Sequence, residues 1–246
     1  PNIMIGSATG LTFFDFLMYD GPAVLLILAA AMVCFYFIYG RKMGVAEDKQ
    51  ASIMTLHAHE AIKSKSLFTK SVVMTVVTAV AFVLHGAVHI EPSVVALAAA
   101  AIMLILSRAE VEEVLLDVEW STIGFFAGLF VVVGGLAETG VIEMLANALI
   151  DATGGDLFLT IMIMVWASAI ISSFLDNIPL VATLIPIVQT MEAAGLDVMP
   201  YWWAISLGAC IGGIGTLIGA SANVVLSGMS KTYGYPITFM EYTKVA

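Results

Sequence analysis

The chain has 246 residues, of which 61% are hydrophobic and 11% charged, and a mean hydropathy of +1.02. Soluble domains carry nearer a quarter charged residues. A water-soluble fold of this size could not cover itself with so little polar surface, so composition requires an integral membrane protein. The formal charge of −10 excludes a nucleic-acid partner, which needs a basic footprint. The apolar runs have helix length rather than ten-residue alternation, which excludes an outer-membrane barrel.

Gly21–Gly40 is twenty residues without a charge and spans about 30 Å as a helix. Residues 41–70 form the one long polar segment. They hold six of the nine basic residues, Arg41, Lys42, Lys49, Lys63, Lys65 and Lys70, so by the positive-inside rule this loop is cytoplasmic. Ser71–Val88 and Pro92–Ser107 read as the next spans. Arg108–Glu119 reads as a short amphipathic helix, with Val111, Val114, Leu115 and Val118 on one face. Trp120–Leu136 is a fourth span with Trp120 at an interface position. Gly140–Thr153 is too mixed to cross and reads as a helix along the outer surface.

Leu157–Thr190 is 34 residues long with Asp176 as its only charge. A straight helix of that length would reach about 51 Å, beyond a hydrocarbon core of about 30 Å. Pro179 lacks an amide donor and disfavours a helical Ile178, which predicts a break at Asp176–Pro179. The second leg, Leu180–Glu192, is too short to cross. A re-entrant hairpin with Asp176, Asn177 and Pro179 at its tip fits these lengths. Tyr201–Ile211 and Asn223–Lys231 are two further short legs flanking a loop over Gly212–Ala222, which reads as a helix interrupted in mid-membrane. The stretch Gly208–Gly228 contains six glycines and no charge.

Two short matches suggest an internal repeat. PNIMIGS (Pro1–Ser7) aligns with ANVVLSG (Ala222–Gly228), and TFFDF (Thr12–Phe16) with TFMEY (Thr238–Tyr242). A repeat of this kind predicts that the chain holds the end of one repeat and most of the next, truncated at both ends and with no signal peptide. Tracing the spans gives the copies opposite orientation. Inverted repeats with broken helices are a signature of secondary transporters.

FLDNIPLVATLIPI and GGIGTLIGASANVV resemble the second-half signatures of the ArsB/NhaD permease family, which belongs to the ion transporter superfamily with the citrate and dicarboxylate carriers. PNIMIG resembles the tail of that family's first-half motif, and LDVEWSTIGFFAGLFVVVGGLAETG resembles one of its membrane segments. The resemblance implies an all-α integral membrane fold with inverted repeats, a re-entrant hairpin and interrupted helices. It implies an elevator-like carrier in which 1–40 and 156–246 are transport parts, 41–70 a cytoplasmic linker, 71–138 scaffold helices and 139–155 a connecting arm. It also suggests a homodimer. The chain departs from the family at Ile214, where Gly-Asn-Gly is common.

Asp176, a carboxylate at membrane depth, is costly there and is therefore the first functional candidate. It can bind Na⁺ or a proton, and competition for one carboxylate is itself an antiport mechanism. Its plainer role is a cap for free amides at the hairpin tip. Asn177, Thr216, Ser221 and Asn223, with Asn2 from the first repeat, are neutral oxygen donors for an ion. Gly212, Gly213, Gly215 and Gly219 permit unwound backbone, or alternatively close helix packing. His85 and His89 share a face near Glu91, and His57 and His59 lie beside Glu60; ordinary polar histidine is the favoured reading of both pairs. Cys34 and Cys210 lie in apolar stretches, form no CxxC pair and read as small buried hydrophobes.

The first functional expectation is Na⁺/H⁺ antiport in the cell membrane, with a small inorganic ion as cargo and a bound Na⁺ as the only cofactor-like ligand. The alternatives are arsenite efflux or carboxylate uptake on the same fold. No basic residue lies in Leu157–Ile218 to grip a multivalent anion by charge. A non-transporting scaffold is the reading from another class. No set of residues converges on enzyme chemistry.

Overall fold

The computed structural model describes residues 1–42, 44, 62, 64–88 and 90–246. His57, His59, Glu60, His89 and most of the 41–70 loop lie outside them. The described residues fold as helices alone: α1 (Asn2–Thr9), α2 (Phe13–Ile38), α3 (Lys65–Val88), α4 (Pro92–Ser107), α5 (Val111–Leu116), α6 (Trp120–Glu138), α7 (Val141–Thr153), α8 (Leu157–Ser172), α9 (Asn177–Ala193), α10 (Met199–Gly212), α11 (Ser221–Thr232) and α12 (Phe239–Thr243). Helices α2, α3 and α6 are long and apolar enough to cross a membrane. The protein is an all-α, multi-pass membrane protein.

Packing divides the chain into two compact units. One comprises Pro1–Leu11 and Glu119–Ala246, the other Thr12–Val118. Residues 12–40 thus pack with the second unit and 119–138 with the first.

In the second unit α2 begins eight residues earlier than Gly21. Thr12 and Asp15 form a capping box: the Asp15 amide donates to Thr12 Oγ1, and the Thr12 amide donates to Asp15 Oδ2 at 2.7 Å. That cap starts the helix at Phe13, and neither Asp15 nor Asp20 stops it. Asp20 lies inside this helix and is 6% exposed. Thr12 also packs against Gly86 of α3, where a Cβ would collide with its methyl. At the other end of α3, Lys70 Nζ donates to the Leu106 carbonyl at 2.9 Å. This satisfies one of the free carbonyls that end α4. His85 Nδ1 lies 3.2 Å from the Ile90 carbonyl across the α3–α4 turn. The amphipathic segment is helical only over α5, and all six residues of α5 are exposed.

The first unit contains the principal core. It is built on α10, where Tyr201, Trp202, Ile205 and Ala209 are almost wholly buried, and on Val181, Val188 and Met191 of α9, with Ile5 of α1. Helix α8 lies along α10, α1 packs on α9 and α10, and α7 packs on α6, α8 and α9. Helix α7 is not a purely superficial helix. Ile142 and Ala146, four apart on one face, are buried.

Both interruptions read from the sequence exist, with one displaced. The first falls at Ser173–Asp176 rather than Asp176–Pro179. Asn177, Ile178 and Pro179 form the first turn of α9, with Asp176 as the N-cap. Proline is tolerated there because the amide it lacks would have had no helical partner. The second interruption covers Gly213–Ala220. The two matching segments TFFDF and TFMEY also share local structure. Thr238 and Glu241 form a capping box at the start of α12, as Thr12 and Asp15 do at α2.

Candidate functional site

The site is assembled from the ends of four helices. Helix α8 ends at Ser172 and α10 at Gly212, and their last carbonyls are released from helical bonding. Helices α9 and α11 begin at Asn177 and Ser221, where first-turn amides are released. The two breaks lie against each other because α8 and α10 approach at a seam of small residues. A Cβ at Gly208 would strike Ser168, and one at Gly212 would strike the backbone of Ala169. Ser172 Oγ donates to the Ala209 carbonyl at 2.7 Å across the same seam.

Beyond the seam the loops interlock. Thr216 is 2% exposed, and its hydroxyl donates to the Ser173 carbonyl. A Cβ at Gly215 would strike the Ser173 hydroxyl. A Cβ at Gly219 would lie 2.8 Å from the Gly213 carbonyl oxygen, 2.9 Å from that of Ser172 and 3.1 Å from that of Ser173. Carbonyl oxygens of both breaks therefore converge on Gly219. None of Gly212, Gly213, Gly215 and Gly219 has a positive φ. These glycines serve close approach, and Gly213, Gly215 and Gly219 lie in the non-helical stretch between α10 and α11.

The asparagines meet at Gly213. Asn223 Nδ2 donates to the Gly213 carbonyl at 2.9 Å and to the Thr216 carbonyl at 3.2 Å. Asn177 Nδ2 is 3.2 Å from where a Gly213 Cβ would stand. Asp176 accepts the Ile178 amide at 3.0 Å, so it caps α9. Asn2 sits on α1 away from Gly213: its Oδ1 accepts from Ser206 Oγ at 3.0 Å and from Cys210 Sγ at 3.6 Å, both on α10. Ser221 opens α11 and is exposed. Pro179 and Ile178 are half-buried in the first turn of α9.

The structure thus brings Asn177, Thr216, Asn223, Gly213, Gly215 and Gly219 together, with Asp176 at the adjoining cap and Asn2 on the neighbouring face of α10. Sequence reasoning missed Ser172 and Ser173, whose carbonyls supply two of the three oxygens that converge on Gly219. The signal was present in the small residues Ser168, Ala169, Ser172 and Ser173, spaced to face Gly208 and Gly212. It also misplaced the cysteines: Cys34 and Cys210 are exposed, not buried. Carbonyl and hydroxyl oxygens meet at the junction of the two breaks, and Asn177 and Asn223 turn their amide nitrogens toward Gly213.

Residues 1–208 match the citrate transporter family CitMHS. The chain belongs to this family. It is 42% identical over 251 residues to an uncharacterized transporter of Mycobacterium tuberculosis, covering 99% of this chain and 58% of that protein. It is 39% identical over 247 residues to a 46 kDa membrane protein of Mycobacterium leprae, again covering 99% of this chain and 58% of the relative. It is 40% identical over 167 residues to the human P protein, covering 64% of this chain and 20% of that protein. No solved structure matches significantly. The chain therefore spans little more than half the length of its mycobacterial relatives. The family model is that of a citrate transporter, and the Mycobacterium tuberculosis relative is named a transporter.

Proposed function

We propose that the full-length protein is a secondary active transporter that moves a small carboxylate, of the citrate or dicarboxylate kind, together with a coupling cation such as Na⁺. The observation that carries this reading is the start of α11. Its N-cap is Ala220, whose side chain forms no capping hydrogen bond, and it opens beside Gly213, where Asn177 and Asn223 meet. An uncapped helix start at membrane depth presents amide donors and positive dipole charge, which suits an anionic ligand. This answers the lack of basic residues in Leu157–Ile218, because the backbone can supply the positive field. The coupling cation takes oxygens from Ser173, Gly213 and Thr216, and Asp176, Asn177, Ser221, Asn223 and Asn2 line the path around them. In this reading 1–40 and 156–246 move, 71–138 stays as scaffold, 139–155 is the arm between them and 41–70 is a cytoplasmic linker. A homodimer is the assembly that such an elevator uses.

A second reading is cation/proton exchange, supported by the narrower likeness to ArsB/NhaD permeases and by Asp176, the single charge in Leu157–Thr190. Reconstitution of the full-length protein in vesicles separates the two. Uptake of citrate or a smaller dicarboxylate, driven by an inward Na⁺ or proton gradient, is expected. Asp176→Asn is expected to lower that uptake at least about tenfold, the effect of about 1.4 kcal/mol on the transport barrier. No carboxylate flux, with proton-driven Na⁺ or Li⁺ exchange in its place, would establish exchange; flux of arsenite alone would establish arsenite efflux.

A further inference from the structure

The Asn223 side chain has an orientation that its role as an oxygen ligand does not explain. Both N–H groups of its amide are directed at backbone carbonyls of one loop, Gly213 at 2.9 Å and Thr216 at 3.2 Å. Two carbonyl acceptors fix the nitrogen, not the oxygen, on that side. The Gly213 carbonyl belongs to the cluster that gathers around Gly219, where the oxygens of Gly213, Ser172 and Ser173 would lie within 3.1 Å of a Cβ. Carbonyl dipoles gathered around one point favour a donor or a positive group among them. Three donors stand there: the Thr216 hydroxyl on Ser173, the Asn223 amide on Gly213 and Thr216, and the Gly219 amide on Thr216 at 3.2 Å. The amide nitrogen thus occupies the place, relative to the two loop carbonyls, that a bound monovalent cation would take.

We propose that the Asn223 amide is an internal stand-in for the coupling cation, holding the glycine loop closed when no cation is bound, so that cation binding and the Asn223 clamp exclude each other. The proposal rests on the cation-coupled reading above. Asn223 follows Ala220 by three residues in the first turn of α11. Displacing its side chain therefore acts directly on the helix start that is proposed to receive the anion. Cation entry would free that end of α11 from the loop, which is one physical route to coupling between the two ligands.

The two roles for Asn223 make opposite predictions. A ligand, when removed, weakens cation binding. A clamp, when removed, strengthens it. Binding of radioactive sodium to the purified full-length protein, wild type against Asn223→Ala, is the test. The clamp predicts binding about tenfold tighter in the variant, since the cation no longer displaces two neutral hydrogen bonds of modest net worth. Asn223→Ser, too short to bridge both carbonyls, is expected to shift affinity the same way and serves if the alanine variant does not fold. Equal or weaker sodium binding in the folded variants overturns the clamp while leaving the carrier reading intact. Sodium binding by neither wild type nor variants overturns the cation-coupled reading, and the clamp with it. General loosening of the loop lowers affinity and so does not mimic the expected result.

Discussion

Gly212→Ala tests whether the glycines of this segment serve close approach. A Cβ on Gly212 would lie 2.7 Å from Ala169 Cα and 2.8 Å from Ala169 C. These are backbone atoms, so no side chain can rotate away. The Ala169 carbonyl oxygen is closer still, so restoring ordinary contact, which begins near 3.4 Å, requires α8 and α10 to separate by roughly 1 Å at this point, within the range where overpacking costs about 1–3 kcal/mol. The same movement stretches the Ser172 Oγ to Ala209 carbonyl bond from 2.7 Å past the usual O–H···O limit of about 3.0 Å, adding about 1 kcal/mol. The Ala209 carbonyl keeps the Gly213 amide as a second partner, so no buried acceptor is orphaned and the loss stays near that figure. The expected destabilisation is about 2–4 kcal/mol, a large share of a typical folding free energy of about 5–15 kcal/mol. Denaturant titration of the purified full-length protein in mixed micelles reads it. Gly135→Ala on α6 is the control: a Cβ there meets nothing within 4 Å, so replacing glycine in a helix is expected to be neutral or to stabilise by up to about 1 kcal/mol. If Gly212→Ala and Gly135→Ala behaved alike, the close-approach argument would fail.

Gly86→Ala is expected to destabilise the Thr12–Val118 unit by about 1–2 kcal/mol, the overpacking cost less the gain in helix propensity. Thr12 cannot turn away because its hydroxyl and amide are both held by Asp15. Thr12→Ser, which deletes the clashing methyl and keeps the cap, should restore most of the loss in a double-mutant cycle; no rescue would refute the contact. At α12, the Glu241 carboxylate accepts the Thr238 amide at 3.0 Å and the Thr238 hydroxyl at 2.8 Å. These bonds hold its pKa below the ordinary 4.5. A depressed folded value means that the cap contributes fully above about pH 4.5 and is lost as pH falls through the lower folded value. Amide exchange in Phe239–Thr243, corrected for intrinsic rates, should therefore accelerate below that pH in the wild type and show no such step in Glu241→Gln. Matching profiles would sink the argument.

The apolar runs disclosed the helices well, since length without charge is a one-dimensional property. Pro92–Ser107 was legible to the residue because Pro92 opens that helix and Arg108, in the left-handed region, closes it. The second break was equally legible in its glycines. Helix α2 was less so. Asp15 and Asp20 look like an end to an apolar span, but Asp15 caps the helix start and Asp20 is buried within the helix. Pro179 suggested a break at its own position, whereas first-turn proline is compatible with a helix and the interruption lies three residues earlier. The functions of Ser172 and Ser173 could not be read locally at all. Their carbonyls matter only because Gly219, more than forty residues on, is brought against them, and sequence pattern carries no record of that distance.

The same end-to-end meeting explains how a site can form in a stretch with a single charge. Each break ends one helix and begins another, so it offers free carbonyls and free amides within a few residues. The two breaks bring carbonyls of Ser172, Ser173 and Gly213 together around Gly219, next to the start of α11. Charged side chains at this depth would each cost about 2.5–3.5 kcal/mol on insertion. Backbone dipoles carry no comparable insertion penalty while they are paired, and Thr216 and Asn223 pair them. A junction made this way is satisfied by its own hydroxyl and amide donors. That property follows from helix ends and small residues alone, which is why the glycine and serine positions constrain this site more tightly than Asp176 does.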